Sequence, residues 1–259
     1  KKVAVLGGGP GGLSAAYYLQ LMGHKTTVFE MLPKLGGMLR YGIPNYRLPK
    51  DRLDDDIKAI LKTGVEVKYG VKIGKDVSIQ QLREEYDAVL IAIGASTDKG
   101  LGLEGEDAEG VISAIELLRN VGEGNAMDFS GKEVAVIGGG NVTMDAVRTA
   151  KRLGAKKVSV VYRRRIADMT ALPSEIEGAI AEGIEMQTLR APSKLMIDEN
   201  NHVNGIYVTP QMISSIKNGR ASIKATGEDD ILIPCDILVV AIGQEIETKH
   251  FEDAGVPIS

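Results

Sequence analysis

Short, fully apolar runs alternate along this chain with stretches whose apolar residues recur every three or four positions. Val3 to Leu6 is the first such run, and it predicts a strand buried on both faces. Pro10 to Met22 follows with apolar residues at Leu13, Ala16, Tyr17 and Leu21, one face of a helix, and Gly23 stands where a helix C-terminus favours glycine. Thr26 to Glu30 predicts a second strand, Asp51 to Lys62 an amphipathic helix stopped at Gly64, and Val65 to Val67 a third strand. Ser78 to Glu85 reads as a short helix and Ala88 to Ile93 as an apolar strand ending at Gly94. Strands alternating with helices predict a parallel sheet covered by helices. The stretch from Pro33 to Pro49, with Gly36-Gly37, Gly42, Ile43-Pro44 and Leu48-Pro49, predicts irregular, ligand-facing backbone.

From Lys99 to Lys132 the pattern loosens into glycines flanking one short helix near Ser113 to Arg119, which predicts a domain crossing. The alternation then restarts. Val134 to Ile137 reads as a strand, Val142 to Leu153 as a helix stopped by Gly154, and Lys157 to Tyr162 as a strand. A helix over Ser174 to Glu182 and a strand over Ile184 to Leu189 follow. Three further strand-like runs, Lys194 to Ile197, Val203 to Val208 and Ala221 to Lys224, have turn signals at Glu199-Asn200-Asn201 and Asn218-Gly219 and predict an antiparallel flap. Asp236 to Ile242 closes the second unit as an apolar strand.

The restart is a repeat. Gly7-Gly8-Gly9-Pro10-Gly11-Gly12 and Gly138-Gly139-Gly140-Asn141-Val142-Thr143 each follow a β-branched run and open a helix, and Gly23 and Gly154 lie at the same offset from them. In a GxGxxG turn the first glycine makes the bend, the second admits a pyrophosphate and the third packs helix on strand, with the phosphates at the helix N-terminus. Gly7, Gly9 and Gly12 fit this pattern, and Glu30 stands at the distance where a carboxylate takes a ribose hydroxyl pair. Gly138 and Gly140 fit as well. Thr143 replaces the third glycine, a change expected to loosen helix–strand packing slightly. From the helix-ending glycines the second copy runs two residues longer, so that Arg163, flanked by Arg164, takes the place of Glu30, while Arg165 reads as a solvated charge. A carboxylate there would repel a 2′-phosphate and guanidinium groups would bind it, so NADPH is preferred over NADH. Two different dinucleotides on one chain point to electron transfer between them.

Composition removes alternatives. With 259 residues, 44% hydrophobic, 25% charged and a net charge of −4, the chain has room for one large or two small soluble domains and no broad attraction for nucleic acid or membrane. Its apolar runs are too short to span a bilayer, and its opening on a strand shows no signal peptide, so cytoplasmic is the expected location. Cys235 is the sole cysteine and reads as a structural thiol, which removes an internal disulfide, a CxxC pair and an iron–sulfur cluster from this chain. His24, His202 and His250 lack partners at catalytic spacing, and Asp54-Asp55-Asp56 reads as a solvated helix face, so neither a catalytic side chain nor a metal site is expected.

The segments GGGPGGLSAAYYL, GGMLRYGIPNYRLPKDRL, DAVLIAIGA, GKEVAVIGGGNVTMDAVRTAKRLGA, VVYRR with MTALPSEIEGAIAEG, and DILVVAIGQ together resemble, in order, the small subunit of NADPH-dependent glutamate synthase. Related iron–sulfur flavoenzymes carry the same module, among them the large subunit of NADH-dependent ferredoxin:NADP oxidoreductase and dihydropyrimidine dehydrogenase. The resemblance implies two Rossmann-like dinucleotide-binding domains of α/β class, the second inserted in the first. The expected FAD-binding domain is 1–110 with 244–259 returning to it, 111–131 is a linker, and 132–243 is the NAD(P)H-binding domain. By position, Gly7, Gly9, Pro10, Gly12 and Glu30 would hold the FAD pyrophosphate and ribose, Gly37 and Leu39 the flavin side, Val71 the adenine, and Ala92, Ile93 and Gly94 the middle of the cofactor. Gly138, Gly140, Asn141, Val142, Arg163 and Arg164 would hold NADPH, with Ala241 and Gly243 lining that site. The implied chemistry is hydride transfer from NADPH to FAD, with electrons passed to the iron–sulfur clusters of a large amidotransferase-type subunit or another iron–sulfur protein. Family members also carry an N-terminal cysteine-rich segment and a C-terminal Gly-Asp motif that this sequence lacks, so it is expected to be a fragment with a complete NADPH half and a truncated FAD half.

Overall fold

The computed structural model describes residues 1–125, 127–217 and 220–258, which leaves the Asn218-Gly219 turn signal outside the described residues. Two compact units divide the chain, one formed by residues 1–97 and 244–259, the other by 98–243. The second unit is thus an insertion in the first. Two-residue strands, β5 (Thr97–Asp98) and β15 (Gln244–Glu245), lie where the chain passes between them.

In the first unit β1 (Lys2–Leu6), β2 (Lys25–Glu30), β3 (Glu66–Tyr69) and β4 (Ala88–Ile91) form a parallel sheet in the order β3-β2-β1-β4. Helices α1 (Pro10–Leu21), α2 (Met38–Tyr41), α3 (Lys50–Leu61), α4 (Ile79–Glu85) and α8 (Lys249–Asp253) belong to it. One sheet face buries Val3, Val5 and Val28 against Leu13 and Ala16 of α1 and Leu53 and Ile57 of α3. The other buries Ala4, Leu6 and Phe29 against Leu82 of α4 and Phe251 of α8. Burial on both faces is why β1 reads as an unbroken apolar run, whereas β4 is as apolar but leaves Leu90 38% and Ile91 39% exposed. Helix α4 begins with a capping box in which Ser78 and Gln81 satisfy each other's backbone.

The second unit holds a five-stranded parallel sheet made of β6 (Val111–Ser113), β7 (Glu133–Ile137), β8 (Lys157–Tyr162), β9 (Glu185–Thr188) and β14 (Ile237–Val240), in the order β6-β14-β7-β8-β9. Helices α5 (Ala114–Glu123), α6 (Asn141–Arg152) and α7 (Pro173–Ala181) cover it. The segment 111–131, expected as a linker, instead contributes β6 and α5. Its amphipathic helix buries Ala114 and Leu117 in the core of this unit, and apolar burial outweighs the glycines around it. Strands β10 (Arg190–Ile197), β11 (Val203–Lys217), β12 (Arg220–Ala225) and β13 (Ile231–Pro234) build the antiparallel flap, with β11 pairing all three others. The fourth strand is the Ile231 to Ile233 run. The flap packs Leu195, Val203, Ile206 and Val208 against Ala135, Ile137 and Leu238 of the sheet. Cys235 is buried there, and burial pushes its thiol up to about 12, the state of a structural thiol.

Candidate functional site

In each unit the glycine turn leaves the C-terminal end of a central strand, where parallel α/β sheets bind ligands. In the first, Gly7 donates its N–H to the Phe29 carbonyl at 2.8 Å and holds φ at +105°, and an added Cβ would lie 2.4 Å from the Ala92 oxygen. Only glycine fits there. Gly9 caps α1 without any side-chain hydrogen bond, and Pro10 opens the helix. The first-turn N–H groups of Gly11 and Gly12 therefore have no intrahelical acceptor. A Cβ on Gly12 would stand 1.9 Å from the Gly7 oxygen, so the third glycine is obligatory.

Glu30 is 5% exposed, and its two carboxylate oxygens accept the N–H groups of Gly8 and Leu32, each at 2.7 Å. It is fixed beside the turn and keeps lone pairs for a ribose. The Gly36 N–H donates to the Gly8 carbonyl at 2.8 Å, and Gly37, at φ +51°, approaches so closely that its Cβ would lie 2.7 Å from Gly9 Cα. Val71 donates its N–H to the Glu30 carbonyl and Ala92 to the Leu6 carbonyl. Val71 and Ala92 to Gly94 thus gather with Glu30 and Gly37 around the same strand ends. Leu39 turns partly into the core beside Leu53 and Ile57. The segment before α3 is braced by Lys50, whose ammonium donates to the Leu39 and Ile43 carbonyls. Buried Arg40 pairs with Asp54 and holds its carboxyl below the usual range, so Asp54, half exposed on its helix, is also a structural partner.

The second turn repeats these contacts. Gly138 donates to the Val161 carbonyl at 3.1 Å, its Cβ would lie 2.4 Å from the Ala241 oxygen, and Ala241 donates to the Ile137 carbonyl. Gly140 caps α6 with no side-chain hydrogen bond, leaving the N–H groups of Asn141 and Val142 without intrahelical acceptors. Thr143 is wholly buried, with its hydroxyl over Gly138 (2.4 Å from a Cβ built there), so the packing is close and not loosened. Gly243, at φ +130°, accepts the Lys99 N–H, which sets it past the end of β14. Both turns are bare, glycine-lined helix starts of the kind that fits a pyrophosphate.

The residue matched to Glu30 changes. Leu6 pairs with Phe29 and Ile137 with Val161, so sheet register sets Tyr162, not Arg163, opposite Glu30. Only one extra residue lies between Gly154 and β8, where Ala155-Lys156 stand against His24 alone, and placing Arg163 there would require two. The Tyr162 ring fills the space under Gly139, as Glu30 does under Gly8, and its hydroxyl donates to the Asp168 carbonyl at 2.8 Å. Arg163 lies one position beyond, exposed and without a hydrogen bond or ion pair among the described residues. Arg164 donates from Nε to the Ala221 carbonyl of the flap at 2.9 Å, which leaves its terminal nitrogens for a ligand. Arg165 is committed to Asp168 through two bonds of 2.8 and 2.9 Å, which hold that carboxyl below its ordinary range. Arg165 is therefore paired, not merely solvated.

No group of three potential metal ligands occurs among the described residues, and no helix there is long and apolar enough to cross a membrane. His250 stacks on Phe251, and His202 is engaged with the Val203 carbonyl.

The chain is 42% identical to the NADP(+)-dependent formate dehydrogenase subunit beta of Moorella thermoacetica over 97% of its length and 36% of that protein. It is 38% identical to the NADPH-Fe(3+) oxidoreductase subunit beta of Geobacter sulfurreducens, over 98% of the chain and 38% of that protein. Against the glutamate synthase [NADPH] small chain of Escherichia coli the identity is 34%, covering 94% and 54%. The chain thus spans about a third to just over half of these relatives. Among solved structures, FprA, a Mycobacterium tuberculosis oxidoreductase, has the same fold at a TM-score of 0.78 and 22% identity, over 94% of this chain and 71% of that one. The family model for pyridine nucleotide-disulphide oxidoreductases matches residues 1–259, and the chain belongs to that family.

Proposed function

We propose that the chain is an NADPH-dependent flavin oxidoreductase module of the glutamate synthase small-subunit type, with FAD at the first turn and NADPH at the second. The observation that carries this is the pair of turns with matching backbone bonds and opposite neighbours: a buried carboxylate at one, and at the other an aromatic ring followed by exposed Arg163 and by Arg164, bonded through Nε alone. Gly9, Pro10, Gly12, Glu30 and Gly37 would hold FAD, with Leu39, Val71, Ala92, Ile93 and Gly94 beside it. Gly138, Gly140, Asn141, Val142, Arg163 and Arg164 would hold NADPH, with Ala241 and Gly243 lining its site. The domain roles follow: residues 1–97 and 244–259 serve the flavin, and 98–243 the nicotinamide nucleotide.

Bound flavin supplies an acceptor for the two electrons that reduced nicotinamide delivers as hydride. The protein's own part is to bind and orient. Glu30 fixes a ribose, the helix starts neutralise phosphates, and no side chain need move a proton. Electrons then pass to the iron–sulfur clusters of a partner, either a large amidotransferase-type subunit or another iron–sulfur protein, in the cytoplasm. The relatives' names, which specify NADP(+) or NADPH, support the choice of nucleotide. Because the chain spans 36% and 38% of the first two relatives, a second reading is a nucleotide-binding piece that needs further segments for turnover.

Anaerobic mixing of the FAD-loaded protein with NADPH separates the readings. Bleaching of the flavin band supports the module. Tight NADPH binding with an unchanged flavin spectrum supports the second reading and overturns hydride transfer by this chain alone.

A further inference from the structure

Beyond Arg165 the chain doubles back over the start of α6. Thr170 and Ala171 both donate their N–H groups to the Gly139 carbonyl, at 2.9 and 3.1 Å, and Leu172 donates to Asn141 Oδ1 at 2.9 Å. This strap has a counterpart in the first unit, where Gly36 donates to the carbonyl of Gly8 and brings Gly37 against Gly9. The counterpart sets the apolar Leu35 side chain against Gly8 and only the Gly37 backbone beside Gly9. The strap at the second turn presents Thr170, whose hydroxyl lies 3.5 Å from the position a Cβ on Gly140 would take. That hydroxyl is exposed and has no hydrogen-bond partner among the described residues. It stands beside the capping glycine of a helix of 12 residues whose first N–H groups lack acceptors.

We infer that Thr170 is a direct ligand of the dinucleotide pyrophosphate at the second turn, donating its hydroxyl proton to a phosphate oxygen, and that Asn141 positions it by fastening the strap. The inference rests on the reading of that turn as the NADPH site. It gives Asn141 a different task from cofactor contact through its side chain, because Oδ1 already accepts the Leu172 N–H. A hydroxyl on the strap also supplies a donor where the phosphate must lie. At the matching place beside Gly9 the neighbour is Gly37, which carries no hydroxyl.

The test is calorimetric titration of the chain with NADP+ and with 2′-AMP, which carries the 2′-phosphate but no pyrophosphate. Thr170→Val should weaken NADP+ about 10-fold, the loss of one hydrogen bond to a charged group, and leave 2′-AMP unchanged. Thr170→Ser should recover NADP+ affinity to within about 2-fold, and Asn141→Ala should cost little once Thr170→Val is present. Unchanged NADP+ binding by Thr170→Val, or equal loss for both ligands, overturns the inference while leaving the site itself intact. Failure of the wild-type chain to bind either ligand overturns the NADPH reading of the turn, and this inference with it.

Discussion

The two glycine turns share their scaffold bonds and differ in what surrounds them. Each first glycine donates to the neighbouring strand and abuts an alanine carbonyl, Ala92 in one and Ala241 in the other. Each second glycine caps a helix of 12 residues with no side chain in the way. The first turn is then bordered by glycines, the Leu35 side chain and one buried carboxylate. The second is enclosed by Tyr162, Thr143, a threonine-bearing strap and three arginines in different states of commitment. On the proposed reading, one backbone device for phosphate serves two nucleotides, and discrimination would reside in residues outside the glycine pattern.

The strongest way to break the comparison is at the third fingerprint position. Gly12→Val forces a side chain to within 1.9 Å of a backbone oxygen. It should cost more than about 3 kcal/mol and abolish flavin retention, as read by thermal melting and bound flavin. The matching change in the other copy, Thr143→Gly, should cost only about 1–2 kcal/mol and preserve NADP+ binding. Equal effects would show that the two turns do not differ as described. Next in size, the double variant Arg163→Glu with Arg164→Ala should raise the Kd for NADPH about 100-fold, by loss of two charge-assisted contacts, with NADH changed less than about 3-fold. Equal loss for both nucleotides would remove the arginines from 2′-phosphate recognition.

The smallest effect concerns how each helix is fastened. Helix α1 carries no charged residue, whereas α6 is tied to α7 by Arg148, bonded to Glu175 and Glu182, and by Arg152, bonded to Glu182. The Arg152 and Arg148 hydrogen bonds hold the Glu182 carboxyl down from 4.5 to about 2. A depressed carboxylate stabilises the fold fully above its unfolded value, and that contribution is lost as pH falls towards the folded one. Chemical denaturation should therefore show the second unit losing about 1–2 kcal/mol between pH 5 and 2, with Glu182→Gln lacking that slope. A variant that keeps the slope assigns the acid sensitivity elsewhere.

Much of this was legible in the sequence. Parallel strands buried on two faces leave apolar runs, glycines stop the helices, and the repeat exposes both turns. Three features were not. Matching Arg163 to Glu30 allowed two extra residues after Gly154, whereas the strand register accommodates one and puts Tyr162 there. The strap depends on backbone bonds between Gly139 and Thr170, which no side-chain pattern encodes. The segment 111–131 read as a linker because its glycines drew more notice than the apolar face of α5, which buries Ile115, Leu117 and Leu118.

Cys235 carries a consequence for experiment. With a thiol held near 12, only on the order of one molecule in 10^5 is a thiolate at neutral pH, and the side chain is 3% exposed. To alkylating dyes the folded chain is effectively blank. A cysteine introduced at an exposed position would then be the labelling handle, without first deleting a native residue.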